Sequence, residues 1–192
     1  MSISTLTTLT TKVRYILEDY AKSQSDIFTF ATSRIFTLEE SNPVTVSTVY
    51  INDVELPDTD WSYSSGKVTI EDSLSSGHTL SSGDTVQIDY TAYENFSSNE
   101  VTSAIRSTLY YLSINNFYDF IVDEDDDIQP DPNTKEERVI AIIAAYKLRP
   151  EYNSLRMPDF SISKKDALTF EDFVSKVVGY EGWNNGIFNV LE

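Results

Sequence analysis

Gly83 to Leu112 reads GDTVQIDYTAYENFSSNEVTSAIRSTLYYL, and it holds two periodicities back to back. Val86, Ile88 and Tyr90 alternate with Gln87 and Asp89, the two-residue period of a half-buried strand. Ser97 then stands three residues before Glu100, and Val101, Ile105, Leu109 and Leu112 follow at helical spacing. A serine oxygen can take a helix-end amide proton while the glutamate reaches back to the serine amide, so Ser97 or Ser98 opens a helix running to about Ile114. A β unit and a helical unit are therefore spliced here with almost no linker.

Working outward, the N-terminal side carries one more helical pattern. Leu6, Leu9, Val13, Ile16, Leu17 and Tyr20 form a stripe that predicts a helix over roughly Ser4–Lys22, with Lys12 and Arg14 on its polar side. From Ile27 the period changes. Phe28 and Phe30, Ile35 and Thr37, VTVSTVYI (44–51), Trp61 and Tyr63, and Val68 and Ile70 read as short strands. Asn52-Asp53 and Ser65-Gly66 are tight-turn signals, because Asn, Asp and Gly tolerate positive φ. Residues 72–84 are rich in Ser and Gly and read as a loop.

C-terminal to the quoted stretch, Pro130 and Pro132 bar a helix, and Thr134 with Glu137 reads as a second capping box. The apolar residues of the helix that follows (VIAIIAAY, 139–146) cover most of its circumference, which predicts the central helix of a bundle. After an irregular stretch to Ser163, Ala167, Leu168, Phe170, Phe173, Val174, Val177 and Val178 predict a fourth helix ending near Gly179–Gly182.

A lone amphipathic first helix must bury its stripe somewhere. The economical solution is an α+β fold: a four-helix α domain (1–25 and 97–192) with a small antiparallel β sandwich or barrel (26–96) inserted between helices 1 and 2. The alternative is a first helix docked on the sheet and two successive domains.

Composition narrows the function classes. The chain has 192 residues and a formal charge of −17, which repels nucleic-acid phosphates and argues against tight DNA binding. No run approaches the roughly 18 apolar residues that span a bilayer. The N-terminus lacks a basic region followed by an apolar block, so no signal peptide is expected. Cysteine is absent, which removes disulfides, zinc-thiolate sites and cysteine nucleophiles.

The run Asp123, Glu124, Asp125, Asp126, Asp127 invites a calcium reading. It fails because Ile128 stands where the sharp turn needs Gly, and Thr134 where a bidentate Glu belongs. It reads as a solvated acidic loop. His78, the sole histidine, lies in the Ser/Gly loop. Nucleophile-elbow and phosphate-loop patterns are missing. Neither a catalytic site, a metal nor a cofactor is expected. Aromatics remain: Phe117, Tyr118 and Phe120 after helix 2, and Trp183 and Phe188 in the tail, are read as contacts to another chain. Tyr90, Tyr93 and Phe96 are read as packed between the β module and the helical domain.

Taken together, LTTKVRYILED (9–19), FTL (36–38), STVYINDVEL (47–56), WSYSSGKVTI (61–70), SSGDTVQIDYTAY (81–93) and a helix opened by Phe96–Glu100 resemble the head-to-tail connector (adaptor) proteins of tailed bacteriophages. The resemblance spans roughly residues 5–150, leaving the C-terminal segment and the acidic run outside it. It implies a structural virion protein without an active site, assembled in the host cytoplasm. The protein would form a homo-oligomeric ring, typically twelve-fold, beneath the portal protein, touching the next neck or tail protein and extending the DNA channel. Asp123, Glu124, Asp125, Asp126 and Asp127 would then face passing double-stranded DNA without gripping it. Two other readings are another tail, neck or baseplate component, and a ligand-binding β module on a helical stalk with Trp61 and Tyr63 as its platform.

Overall fold

The computed structural model describes residues 4–75, 77, 79–149, 154–157, 160–163 and 169–180. Its fold is α+β, with an antiparallel β module inserted between the first two of the four helices found among the described residues. The chain forms two compact units: Met1–Asp19 with Ser98–Glu192, and Tyr20–Ser97.

The helical unit is built on α1 (Leu6–Leu17), α2 (Ser98–Ile114), α3 (Thr134–Leu148) and α4 (Phe170–Tyr180). Every residue from Val139 to Ala145 is buried, so α3 hides its whole circumference, and it packs against α1, α2 and α4. Tyr146 stacks on Phe173 of α4 at 4.0 Å between centroids, and Tyr111 of α2 meets Phe170 edge-on at 4.9 Å. The α3 cap lies one residue before the expected one. Asn133 accepts from the amides of Lys135 and Glu136, and the Glu136 carboxylate accepts from the Asn133 amide. Glu137, freed from capping, is buried and accepts a hydrogen bond from Ser4 Oγ and an ion pair from Lys12.

Helix α1 is shorter than its pattern. Thr5 caps it through the Thr8 amide, and it stops where Glu18 turns left-handed (φ 54°) and returns its amide to the preceding turn. Arg14, expected on the polar side, is instead buried and bonds Asp19 at 2.5 Å. Tyr20, expected in the buried stripe, is exposed.

The insert accordingly starts before residue 26. Strand β1 (Ala21–Thr29) pairs along its whole length with β7 (Thr85–Tyr93), from Ala21 opposite Tyr93 to Thr29 opposite Thr85. The first sheet has the order β1-β7-β3-β4, with β3 at Pro43–Ile51 and β4 at Val54–Glu55. The second has the order β2-β6-β5, with β2 at Ile35–Thr37, β5 at Trp61–Ser64 and β6 at Lys67–Ile70. Both expected turns form: Asn52 and Asp53 (φ 49° and 66°) join β3 to β4, and Ser65 and Gly66 (φ 50° and 75°) join β5 to β6. Residues from both sheets, among them Phe36, Val49, Val68, Ile70, Val86 and Ile88, share one core, which is the sandwich alternative. On β7 the alternation of the opening stretch is complete: Val86, Ile88, Tyr90 and Ala92 point into the core.

Tyr90 belongs to that core, only 1 % exposed. Its hydroxyl donates to the buried Asp26 carboxylate at 3.0 Å, and the Glu39 amide donates to the same carboxylate at 2.7 Å. Burial pushes the phenol up to about 12, with the Asp26 charge acting in the same direction and the Glu40 amide opposing both. The free phenol ionises near about 10. The folded β module therefore holds this proton more tightly than the unfolded chain does. The stabilisation is complete below about pH 10 and is lost as pH rises toward 12. Tyr90→Phe should cost about 1 kcal/mol near neutrality. It should also remove one phenol that ionises toward about 12 from a tyrosinate absorbance titration. An unchanged high-pH amplitude after the substitution would assign that phenol to another tyrosine, such as Tyr111, which burial also raises.

Candidate functional site

Two short strands, β8 (Ile121–Val122) and β9 (Ile128–Gln129), bring the acidic run into a hairpin turn on the helical unit. Strand β9 and the turn are tied to the N-terminus. The Ile128 amide donates to the Ser4 carbonyl and the Leu6 amide to the Asp126 carbonyl, each at 3.0 Å. The Ser4 amide in turn donates to Asp131 Oδ1 at 2.8 Å.

The five acids have different roles. Asp123 is half-buried, and its Oδ1 accepts the amides of Asp125 at 3.0 Å and Asp127 at 2.9 Å. It organises the turn, in which Asp126 takes a left-handed conformation (φ 64°). Asp126 pairs with Arg106 of α2 at 2.6 Å, both partly exposed. Asp127 is half-buried, and Glu124 and Asp125 are exposed. The charge available to an outside partner is therefore concentrated at Glu124 and Asp125. Among the described residues, no three His, Cys, Asp or Glu side chains are grouped to hold a metal ion. Asp123→Ala should cost the helical unit about 1 kcal/mol, because two amides lose their acceptor. Glu124→Ala and Asp125→Ala should stay within about 0.5 kcal/mol of wild type. Urea midpoints followed by far-UV circular dichroism would check this ranking.

The aromatic candidates separate in a similar way. Phe120 is 4 % exposed and stacks on Tyr118 at 4.6 Å, so its ring is committed inside the unit. Phe117 and Tyr118 are half-buried. Trp183, Phe188 and His78 lie outside the described residues. Tyr93 and Phe96 are half-buried. Trp61 and Tyr63 pack against the β core, and the Tyr63 hydroxyl donates to the Pro43 carbonyl at 3.3 Å, which leaves less of a ligand platform than the sequence offered.

Three exposed large apolar side chains of this unit had no role in the sequence reading. Tyr110 and Ile114 lie one turn apart on α2, 68 % and 56 % exposed, and Ile121 on the adjacent β8 is 61 % exposed. The signal was available: Tyr110 and Ile114 fall outside the Val101, Ile105, Leu109, Leu112 stripe yet are large and apolar. Large apolar side chains in water mark contact surfaces when they cluster.

Among the described residues no helix is long and apolar enough to cross a membrane. Compared with known protein families and with curated proteins, the chain matches none.

Proposed function

We propose that this chain is a head-to-tail connector of a tailed bacteriophage, a structural virion protein that forms a ring beneath the portal and extends the DNA channel toward the tail. The observation that carries the reading is topological. A helical unit is interrupted after its first helix by an antiparallel β module and resumes at α2, the arrangement that the resemblance in residues 5–150 implies. The charge of −17 suits a conduit, since carboxylates at its wall give phosphates no counter-charge to hold. Glu124 and Asp125 are the acids of the hairpin best placed for that role, being exposed. A ring needs heterologous contacts, in which one patch meets a different patch on the next copy. Tyr110 and Ile114, one turn apart on α2 and exposed, supply one apolar patch, and it takes the place of the buried Phe120 in that role.

Assembly in the host cytoplasm and a final place at the virion neck follow from this reading. Negative-stain imaging of the chain mixed with its portal tests it. The expected image is a portal extended by a coaxial ring. A portal left bare at saturating concentrations of a folded chain would overturn the connector reading.

A further inference from the structure

Strand β1 forms one edge of the first sheet, and that edge is long and regular. The phase of its hydrogen bonds follows from its neighbours. The Phe30 amide donates to the Asp84 carbonyl and the Phe30 carbonyl accepts from the Gly83 amide, each at 2.8 Å. Thr85, opposite Thr29, bonds away from β1 instead. Its carbonyl accepts from the Asn52 amide, and its own amide donates to Asn52 Oδ1. An antiparallel ladder repeats every two residues, so the even-numbered residues of β1 bond β7 and the odd-numbered ones turn their backbone outward. Ala21, Ser23, Ser25, Ile27 and Thr29 thus present five amides and five carbonyls at the edge, and among the described residues nothing bonds them. Ile27 is 67 % exposed.

Folded proteins protect a sheet edge with proline, a bulge, free lysines or brevity. Among the described residues of the β module, the other edges are protected. Strands β2, β4 and β5 have three, two and four residues, and β3 carries Pro43 and two register shifts. Strand β1 has nine residues, no proline and an unbroken register, and its one lysine, Lys22, pairs with Glu94 at 2.5 Å. We propose that this edge is an interaction surface whose occupant is the β1 edge of a second copy of the chain, paired antiparallel about a two-fold axis at Ser25. Charge selects this occupant. The whole chain carries −17, which holds copies apart, whereas β1 has one Lys and one Asp and is neutral. Centred on Ser25, the pairing sets Ser23 opposite Ile27 and Ala21 opposite Thr29 of the second copy, and every outward amide and carbonyl finds a partner. On the other face Lys22 falls opposite Phe28 and Gln24 opposite Asp26, so no like charges meet. The sheet then continues across both copies, with four strands from each. A two-fold pair closes on itself, whereas the ring of the connector reading needs heterologous contacts, so the two stand or fall separately.

Sedimentation velocity on the full chain should show a concentration-dependent equilibrium between monomer and dimer. Ser25→Pro removes an outward amide and no bond to β7, and it should weaken dimerisation at least tenfold. Ile27→Lys, which puts a free lysine on the edge, should do the same with the far-UV circular dichroism unchanged. The cysteine-free sequence allows the register to be read directly. Ser25→Cys should oxidise to a disulfide-linked dimer, because opposite residues of a hydrogen-bonded pair have Cα atoms about 5.5 Å apart, within disulfide range. Ile27→Cys alone should link at least tenfold more slowly. Mixed with Ser23→Cys, which lies opposite it, it should form the mixed dimer at a rate close to that of Ser25→Cys. A wild-type chain that stays monomeric at every concentration would overturn the proposal. So would a dimer that survives both Ser25→Pro and Ile27→Lys, or Ile27→Cys chains that link alone as fast as the mixture does.

Discussion

Asp19→Ala should destabilise the helical unit by about 3–5 kcal/mol, the loss expected when one member of a buried ion pair is removed. Asp19 is the last residue of that unit before the chain enters the β module. Its side chain is fully buried and that of Arg14 is 5 % exposed, with 2.5 Å between Arg14 Nη1 and Asp19 Oδ2. Truncating the carboxylate leaves a buried guanidinium without the counter-charge of Asp19. The cost is the desolvation of that stranded cation, and it exceeds the net worth of the pair itself. The double variant Arg14→Leu/Asp19→Leu separates the two quantities. It should recover most of the loss, because two apolar groups need no partners. Urea unfolding followed by far-UV circular dichroism, where the helices dominate the signal, reads both. A single variant that costs less than about 1 kcal/mol would mean that water reaches Arg14 once Asp19 is gone.

The same pair explains where the sequence was opaque. Periodicity identifies a residue by its neighbours in the pattern, and Arg14 sits beside Val13 on the buried side of α1 while carrying a charge that normally marks a solvent face. Only the tertiary partner five residues on, past a left-handed Glu18, shows why it is inside. Strand β1 was missed over Ala21–Asp26 for a related reason. It is an edge strand, mostly exposed, so it carries no alternation to read, and its register comes from β7. By contrast β7, with a neighbour on each side and one face in the core, was plain in the residues themselves, as were α2 and α3. Among the site residues, the acidic run was visible as charge. That Asp123 would spend its carboxylate on two backbone amides depends on a turn between strands of two residues each, too short for any pattern.

Ile143→Ala should cost about 2–5 kcal/mol, and Ile140→Ala a similar amount, from lost burial plus the cavity left behind. Both side chains are completely buried. The position within the range depends on how far the neighbours can collapse, and α3 offers little collapse because it is packed by helices on several sides. An exposed control, Tyr15→Ala on α1, should stay near zero. Because α3 touches α1, α2 and α4, the loss should appear as one cooperative shift of the helical unit. A domain is typically stable by about 5–15 kcal/mol, so either isoleucine change removes a sizeable share of what holds the unit folded. The β module has a separate core and should keep its own transition unchanged. If Ile143→Ala instead lowered the β transition as much as the helical one, the two units would unfold as a single body. The insert would then draw its stability from the helices, and the Tyr90-dependent loss at high pH should appear in both transitions together.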